Sequence, residues 1–150
     1  IKEIGVIDIL RSTILMVKQT TKKGIEIIEN YPDKEIKIVG DNDKVKQVFL
    51  NILINALDAV EDSGKIQIKV EEEDDIVKVS IKDNGCGIKE ENLNKVFDPF
   101  FTTKNNGTGL GLSIVARIVD ELKGRIRISS EEGKGTKVML YFKMVNGGEK

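Results

Sequence analysis

Residues 51–59 read "NILINALDA", an apolar helical stretch that nevertheless carries two amides and a carboxylate. With Gln47 as the origin and about 100° per residue, the next three polar residues fall within an arc of about 80°. They are Asn51, Asn55 and Asp58. Such a stripe is either an exposed polar edge or one wall of a cavity whose oxygen atoms coordinate a hard cation such as Mg²⁺.

Hydrophobic periodicity predicts three helices around this stripe. The first lies near residues 7–22, with Asp8 as its candidate cap and Gly24 as its stop. The second covers residues 42–61 behind Asp41, and the third covers residues 111–124, ending at Gly124. One further helical turn is expected near residues 90–96.

Alternating apolar and polar residues predict about six strands. Two short strands flank a turn at residues 31–33, and two hairpins are formed by residues 65–73 with 76–83 and by residues 125–130 with 136–144. These elements predict an α/β (α+β) two-layer sandwich. About three helices would cover one face of a mixed, largely antiparallel sheet of five to six strands.

The composition narrows the class of protein. The chain has 150 residues, of which 39% are hydrophobic and 33% charged, and its formal net charge is −1. No apolar run reaches the ~18 residues of a membrane span, and no basic surface for nucleic acid is indicated. The chain has no histidine, which excludes histidine-based triads and zinc sites. The single cysteine, Cys86, favours a reducing, cytoplasmic setting and is expected to be a small buried residue.

Glycine-rich turns follow the predicted strands. In "KDNGCGIKEE" (residues 82–91), Asp83 precedes Gly85 and Gly87, a pattern that suits either a simple capped turn or a pocket that a flat ligand approaches closely. A buried carboxylate at Asp83 would accept a hydrogen bond from an exocyclic amine, as in adenine. In "EEGKGTKV" (residues 131–138), a hairpin turn is followed by the hydroxyl of Thr136.

Two further segments lie between the hairpins. "NNGTGLGLS" (residues 105–113) places three alternating glycines directly before a helix, where free backbone N–H groups would cradle phosphate. It lacks the spacing of a dinucleotide-binding fingerprint and the Gly-Lys-Ser/Thr of a P-loop. "VFDPFFTTKNN" (residues 96–106) is either a small satellite core or a mobile lid, from which Lys104 would reach a phosphate.

Taken in their order along the chain, the Asn-x-x-x-Asn helix, Asp-x-Gly-x-Gly, the Phe-rich segment, Gly-x-Gly-x-Gly before a helix and Gly-x-Gly-Thr resemble the catalytic, ATP-binding domain of sensor histidine kinases, within the superfamily that also contains gyrase, Hsp90 and MutL. "FDPFFTTK", "GTGLGLS" and "NALDA" look most like the nitrogen-regulation-sensor branch, and the resemblance covers roughly residues 41–142. It implies the Bergerat-type ATP-binding fold, with ATP and Mg²⁺ as cofactors.

The resemblance also implies roles for individual residues. Asn55 matches the Mg²⁺ ligand, Asn51 its phosphate-side neighbour, and Asp83 the residue that reads the adenine amine. Thr102 and Asp58 stand where many relatives carry basic residues, so Lys104 is expected to neutralise the γ-phosphate. The catalytic set is Asn51, Asn55 and Lys104. The nucleotide-binding set is Asn55, Asp58, Asp83, Gly85, Gly87, Ile88, Thr103, Lys104, Gly107, Thr108, Gly109, Leu110, Gly111, Leu112 and Thr136.

The expected partners follow from the same resemblance. The phosphoacceptor would be a histidine on a separate dimerisation domain of the same parent protein, and the phosphate would pass to a response-regulator receiver domain. Residues 1–23 would be the lead-in and first helix after that domain, residues 24–145 the catalytic domain and residues 146–150 a disordered tail. The domain itself should contact neither nucleic acid nor membrane.

Two rival functions remain at this point. Hydrolytic relatives place a glutamate four residues before the Mg²⁺ asparagine, where this chain has Asn51, and an amide is not a general base. The other rival is a nucleotide-sensing interaction module without catalysis.

Overall fold

The computed structural model describes residues 2–19, 24–60, 63–98 and 111–145. Three α-helices, one 3₁₀ helix and seven strands lie within these ranges. The helices are α1 (Val6–Lys18), α2 (Asn42–Ala59), the 3₁₀ helix (Glu90–Lys95) and α3 (Gly111–Glu121). The strands are β1 (Lys2–Gly5), β2 (Glu26–Asn30), β3 (Lys37–Gly40), β4 (Lys65–Glu73), β5 (Ile76–Asp83), β6 (Arg125–Glu131) and β7 (Gly135–Lys143).

The main sheet has five strands in the order β2-β4-β5-β7-β6. Only β2 and β4 pair in parallel, whereas the other neighbours are antiparallel. The predicted fold class, a mixed and largely antiparallel sheet, is therefore confirmed. Both predicted hairpins, β4 with β5 and β6 with β7, are present.

The first part of the chain differs from the prediction in its strand pairing. β2 and β3 flank the expected turn but do not pair with each other, because β2 joins the main sheet and β3 pairs with β1. The prediction contained no strand at β1. The resulting two-stranded sheet places α1 beside α2, and side chains from both helices are part of one hydrophobic core.

Apolar and polar residues alternate along the strands, so the main sheet has an apolar inner face and a polar outer face. On the inner face, apolar residues of β4, β5 and β7 recur at every second position and are buried beneath the helices; they are Ile66, Ile68, Val70, Val77, Val79, Ile81, Val138, Leu140 and Phe142. From α2, Val48, Phe49 and Leu53 are fully buried against this core. Burial of one such side chain contributes about 1.5–3 kcal/mol. Within the described ranges, no helix has the length and apolar character that crossing a membrane requires.

The helix ends show which local signals were decisive. Asp41 caps α2 as predicted, and its carboxylate accepts hydrogen bonds from the backbone N–H groups of Asp43 and Lys44 at 2.9 and 3.2 Å. Asp8 does not cap α1, which begins at Val6.

The cap of α1 comes instead from Glu35, which is distant in the sequence. Its carboxylate accepts hydrogen bonds from the backbone N–H groups of Ile7 and Asp8, each at 2.8 Å. It also accepts one from its neighbour Ile36, again at 2.8 Å. A negative charge at a helix N-terminus is favourable, so Glu35 joins α1 to the segment before β3.

Candidate functional site

A short row of polar residues interrupts the inner face of the sheet at one end. In the strand register Asp83 on β5 lies opposite Thr136 on β7, and Thr136 lies opposite Ser130 on β6. Directly paired residues point to the same face, so the three side chains lie side by side. The rows behind them are apolar, which makes this end of the sheet the chemically distinct part of the inner face.

Asp83 is the buried carboxylate of this row, with 5% of the residue exposed. Its Oδ1 accepts a hydrogen bond from the backbone N–H of Gly85 at 2.8 Å, and the carboxylate accepts another from the backbone of Thr136. Burial raises the pKa of Asp83, and the two backbone hydrogen bonds offset part of that rise. The group is therefore a preorganised acceptor in a largely dry position.

The backbone of Cys86 ties the loop after Asp83 to the end of α2 and to the β6–β7 turn. The backbone N–H of Cys86 donates to the carbonyl of Ala59 at the end of α2, at 3.0 Å. The carbonyl of Cys86 accepts from the N–H of Gly133 in the β6–β7 turn, at 2.7 Å. The thiol of Cys86 is exposed, so the prediction of a buried residue is wrong: hydrogen bonds of its backbone hold this position.

The two glycines of this loop are required by contacts within the protein. A Cβ on Gly85 would overlap the carbonyl of Ala59, and one on Gly87 would overlap the carbonyl of Glu131. Gly87 also has a φ of +74°, which side-chain-bearing residues rarely adopt. Packing within the protein therefore requires glycine at both positions. The expectation that these residues and Ile88 also shape a ligand pocket stays a prediction.

The polar stripe of α2 faces the start of α3. Asn51 and Asn55 are half-buried, whereas Gln47 and Asp58 are exposed. The Asn51 side-chain amide donates to the carbonyl of Gly111 at 3.5 Å, the outer limit of a hydrogen bond. The N-terminus of α3 thus lies against the two asparagines.

Gly111 leaves room beside Asn55. A Cβ added there would lie 3.7 and 4.0 Å from the two terminal atoms of the Asn55 amide, so a longer side chain would crowd this group. Leu112, the next expected site residue, is half-buried in the first turn of α3. Asn55 therefore lies beside the N-terminus of α3, an arrangement that suits a ligand that carries phosphate and a cation.

Other expected site residues fall outside the described part of the chain. These are Thr103, Lys104, Gly107, Thr108, Gly109 and Leu110. Within the described part, no cluster of three or more His, Cys, Asp or Glu side chains could hold a metal ion. The amide oxygen of Asn55 suits Mg²⁺, which typically binds a few protein oxygens together with substrate phosphates and water.

Ser130 was absent from the sequence-based set, although it contacts two of its members. Its Oγ accepts a hydrogen bond from the backbone N–H of Ile88 and lies 2.8 Å from the hydroxyl of Thr136. The signal for it was present in "RIRISSE", where Ile126 and Ile128 mark the inward positions of β6. Ser130 is the next inward position, so its polarity departs from the pattern.

Comparison with known proteins agrees with this geometry. The family model described as histidine kinase-, DNA gyrase B-, and HSP90-like ATPase matches residues 40–146. The chain belongs to this family. The match extends from the end of β3 past the end of β7, and it includes the polar row and the stripe of α2.

Curated relatives in this ATPase family are sensor kinases. Sporulation kinase A of Bacillus subtilis (strain 168) is 39% identical over 128 residues, which are 85% of this chain and 21% of that protein. The signal transduction histidine-protein kinase AtoS of Escherichia coli (strain K12) is 39% identical over 136 residues, which are 89% of this chain and 22% of that protein. The chain spans about a fifth of the length of these relatives.

Solved structures of the family show the same fold. The catalytic domain of histidine kinase ThkA, in a nucleotide-free form, matches with a TM-score of 0.86 and 33% identity, over 95% of this chain and 94% of that one. Full-length ShkA in complex with AMPPNP matches with a TM-score of 0.80 and 25% identity, over 92% of this chain and 30% of that one. The chain thus corresponds to the ATP-binding catalytic domain of such kinases.

Proposed function

We propose that this chain binds Mg-ATP and transfers its γ-phosphoryl group to a histidine on a separate dimerisation domain of the same parent protein. The phosphate would then pass to an aspartate of a response-regulator receiver domain, in the cytoplasm. The observation that carries the proposal is the buried Asp83 carboxylate, held by two backbone N–H groups at the end of the sheet. Such an acceptor suits the exocyclic amine of adenine.

The remaining residues suit the phosphate end of the nucleotide. Asn55 would bind the cation together with the phosphates. The N–H groups at the start of α3 would donate hydrogen bonds to phosphate oxygens. Lys104 would neutralise the γ-phosphate. Mg²⁺, when bound, supplies charge stabilisation of the transferring group. The protein then contributes position and orientation, which are the main sources of rate in phosphoryl transfer.

Asn51 favours transfer over hydrolysis. Its amide has no basic site to take a proton from water, and its N–H₂ is directed to the Gly111 carbonyl. An external nucleophile is therefore needed, and the chain itself contains no histidine. We propose a division into a lead-in (1–23), a catalytic domain (24–145) and a tail (146–150); residues 1, 20–23, 61–62, 99–110 and 146–150 of these segments lie outside the described part.

The test is a transfer assay in which this chain is mixed with the histidine-bearing dimerisation domain of its parent and ATP labelled at the γ-phosphate. We expect acid-labile label on the dimerisation domain, and none when its histidine is replaced by glutamine. If the chain alone released phosphate from ATP as fast as the dimerisation domain gained label in the mixture, the hydrolytic ATPase would be favoured. Saturable ATP binding without label or release would favour the nucleotide-sensing module.

A further inference from the structure

Ser130 makes three close polar contacts at the edge of the candidate adenine site. Its Oγ accepts a hydrogen bond from the backbone N–H of Ile88 at 2.8 Å. The same oxygen lies 2.9 Å from the carbonyl oxygen of Gly135 and 2.8 Å from the Oγ1 of Thr136. All three contacts are part-buried.

The number of hydrogens decides the direction of these bonds. A serine hydroxyl has one hydrogen, and a carbonyl oxygen can only accept. All three contacts are hydrogen bonds at the same time only if Ser130 donates to Gly135 and accepts from both Ile88 and Thr136. The hydroxyl hydrogen of Thr136 is then committed to Ser130, and what Thr136 offers to a ligand is a lone pair.

We propose that Ser130 is a positioning residue that sets base specificity, by fixing the hydroxyl of Thr136 as a hydrogen-bond acceptor toward the base. This inference rests on the proposed binding of ATP. Thr136 pairs directly with Asp83, whose carboxylate is also an acceptor, so the row presents acceptors side by side. Such a row favours a base that carries an amine over one that carries a carbonyl at the same place.

The effect of Ser130 is separable from the anchoring of the loop. If the Ser130 hydroxyl is removed, the loop keeps the hydrogen bonds of Cys86 to Ala59 and of Gly133 to Cys86. Asp83 keeps its bonds to the backbone of Gly85 and Thr136. The change therefore frees the Thr136 hydrogen to rotate and donate, while the backbone of the site stays tied.

The experiment compares the calorimetric affinities of the chain for ATP and for ITP, whose base carries a carbonyl in place of the amine of adenine. In Ser130→Ala the ratio of ATP affinity to ITP affinity should fall about fivefold, the worth of one ordinary hydrogen bond. Ser130→Thr, which keeps a hydroxyl, should restore the ratio. Ser129→Ala, an exposed serine on the opposite face of β6, is the matched control and should leave it unchanged.

A second variant tests the route through Thr136. Thr136→Val removes the hydroxyl and leaves the Ser130 bonds to Ile88 and Gly135 intact, so it decides the question even if Ser130→Ala does not fold. We expect Thr136→Val to lower the ratio and Ser130→Ala to add nothing in that background. An unchanged ratio in Thr136→Val, or a parallel loss of ATP and ITP affinity in Ser130→Ala, would overturn the inference. Failure of the unaltered chain to bind ATP would instead refute the proposed function.

Discussion

Replacement of Asp83 by asparagine tests the adenine site most sharply. The residue is 5% exposed and accepts two backbone N–H groups, and the proposed third partner is the amine of the base. Asparagine has the same shape and keeps one acceptor oxygen for the backbone, but it has no charge. The loss of one hydrogen bond to a charged group is worth about 1.5–3 kcal/mol, which corresponds to a rise of about 10- to 150-fold in the Kd for ATP.

Calorimetry with ATP and GTP measures this effect. We expect Asp83→Asn to weaken ATP binding and to lose most of the preference for ATP over GTP, and Asp83→Ala to do the same with an added loss of stability. Asp75→Asn, in the exposed turn before β5, is the matched control and should bind ATP as the unaltered chain does. ATP affinity of a folded Asp83→Asn variant within about twofold of the unaltered value would refute the reasoning.

Because the pKa of Asp83 is raised, the unaltered chain and Asp83→Asn should differ in how their stability and ATP affinity depend on pH. Because the folded pKa lies above the unfolded one, the folded state binds more protons between the two values, and stability contributed by this group falls as pH rises through that window. The free energy of unfolding of Asp83→Asn, measured relative to that of the unaltered chain, should therefore increase as pH rises. ATP binding by the unaltered chain should weaken as pH falls through the raised pKa, beyond any change seen in Asp83→Asn. Parallel pH profiles would contradict both expectations.

Three further changes test other parts of the account. Asn55→Ala should remove the Mg²⁺ dependence of ATP affinity in calorimetry, whereas Gln47→Ala on the same stripe should retain it; a retained dependence in Asn55→Ala would move the cation site elsewhere. Glu35→Ala should lower the free energy of unfolding in urea by about 2 kcal/mol, since three backbone N–H groups lose a charged acceptor, and a loss below about 0.5 kcal/mol would contradict that cap. Gly135→Ala should cost at least about 3 kcal/mol because its Cβ would overlap the Asp83 carbonyl, whereas Gly133→Ala, with φ +85° and open space around it, should cost about 1 kcal/mol. Equal losses at the two glycines would remove the packing argument.

Local signals in the sequence predicted the elements that depend on local chemistry. Alternation along β4 and β5 fixed their hairpin, and Asp41 marked the start of α2 because its side chain bonds to the next turn. Two of the errors involve partners distant in the sequence. The cap of α1 comes from Glu35, 27 and 28 residues beyond the N–H groups it binds. The pairing of β1 with β3 likewise has no short-range signature.

The candidate site shows the same division. Asp83, Asn55 and Thr136 were selected by motif and by resemblance, and the structure brings Asp83 and Thr136 into one row. Ser130 was missed because adjacent serines at the end of a strand are typical of a solvated edge. The alternation of Ile126 and Ile128 marks its inward position, but its place beside Thr136 becomes evident only once the register of β6 on β7 is known.

The most direct test of the central claim is an amide NMR titration of the isotopically labelled chain with Mg-ATP. The account predicts saturable shifts concentrated in the loop of residues 83–88, at Asn55, at Thr136 and at the start of α3. The turn at residues 74–75 and the β1–β3 sheet should not move. An absence of saturable shifts at millimolar Mg-ATP, or shifts centred away from the polar row, would contradict the claim that this end of the sheet binds the nucleotide.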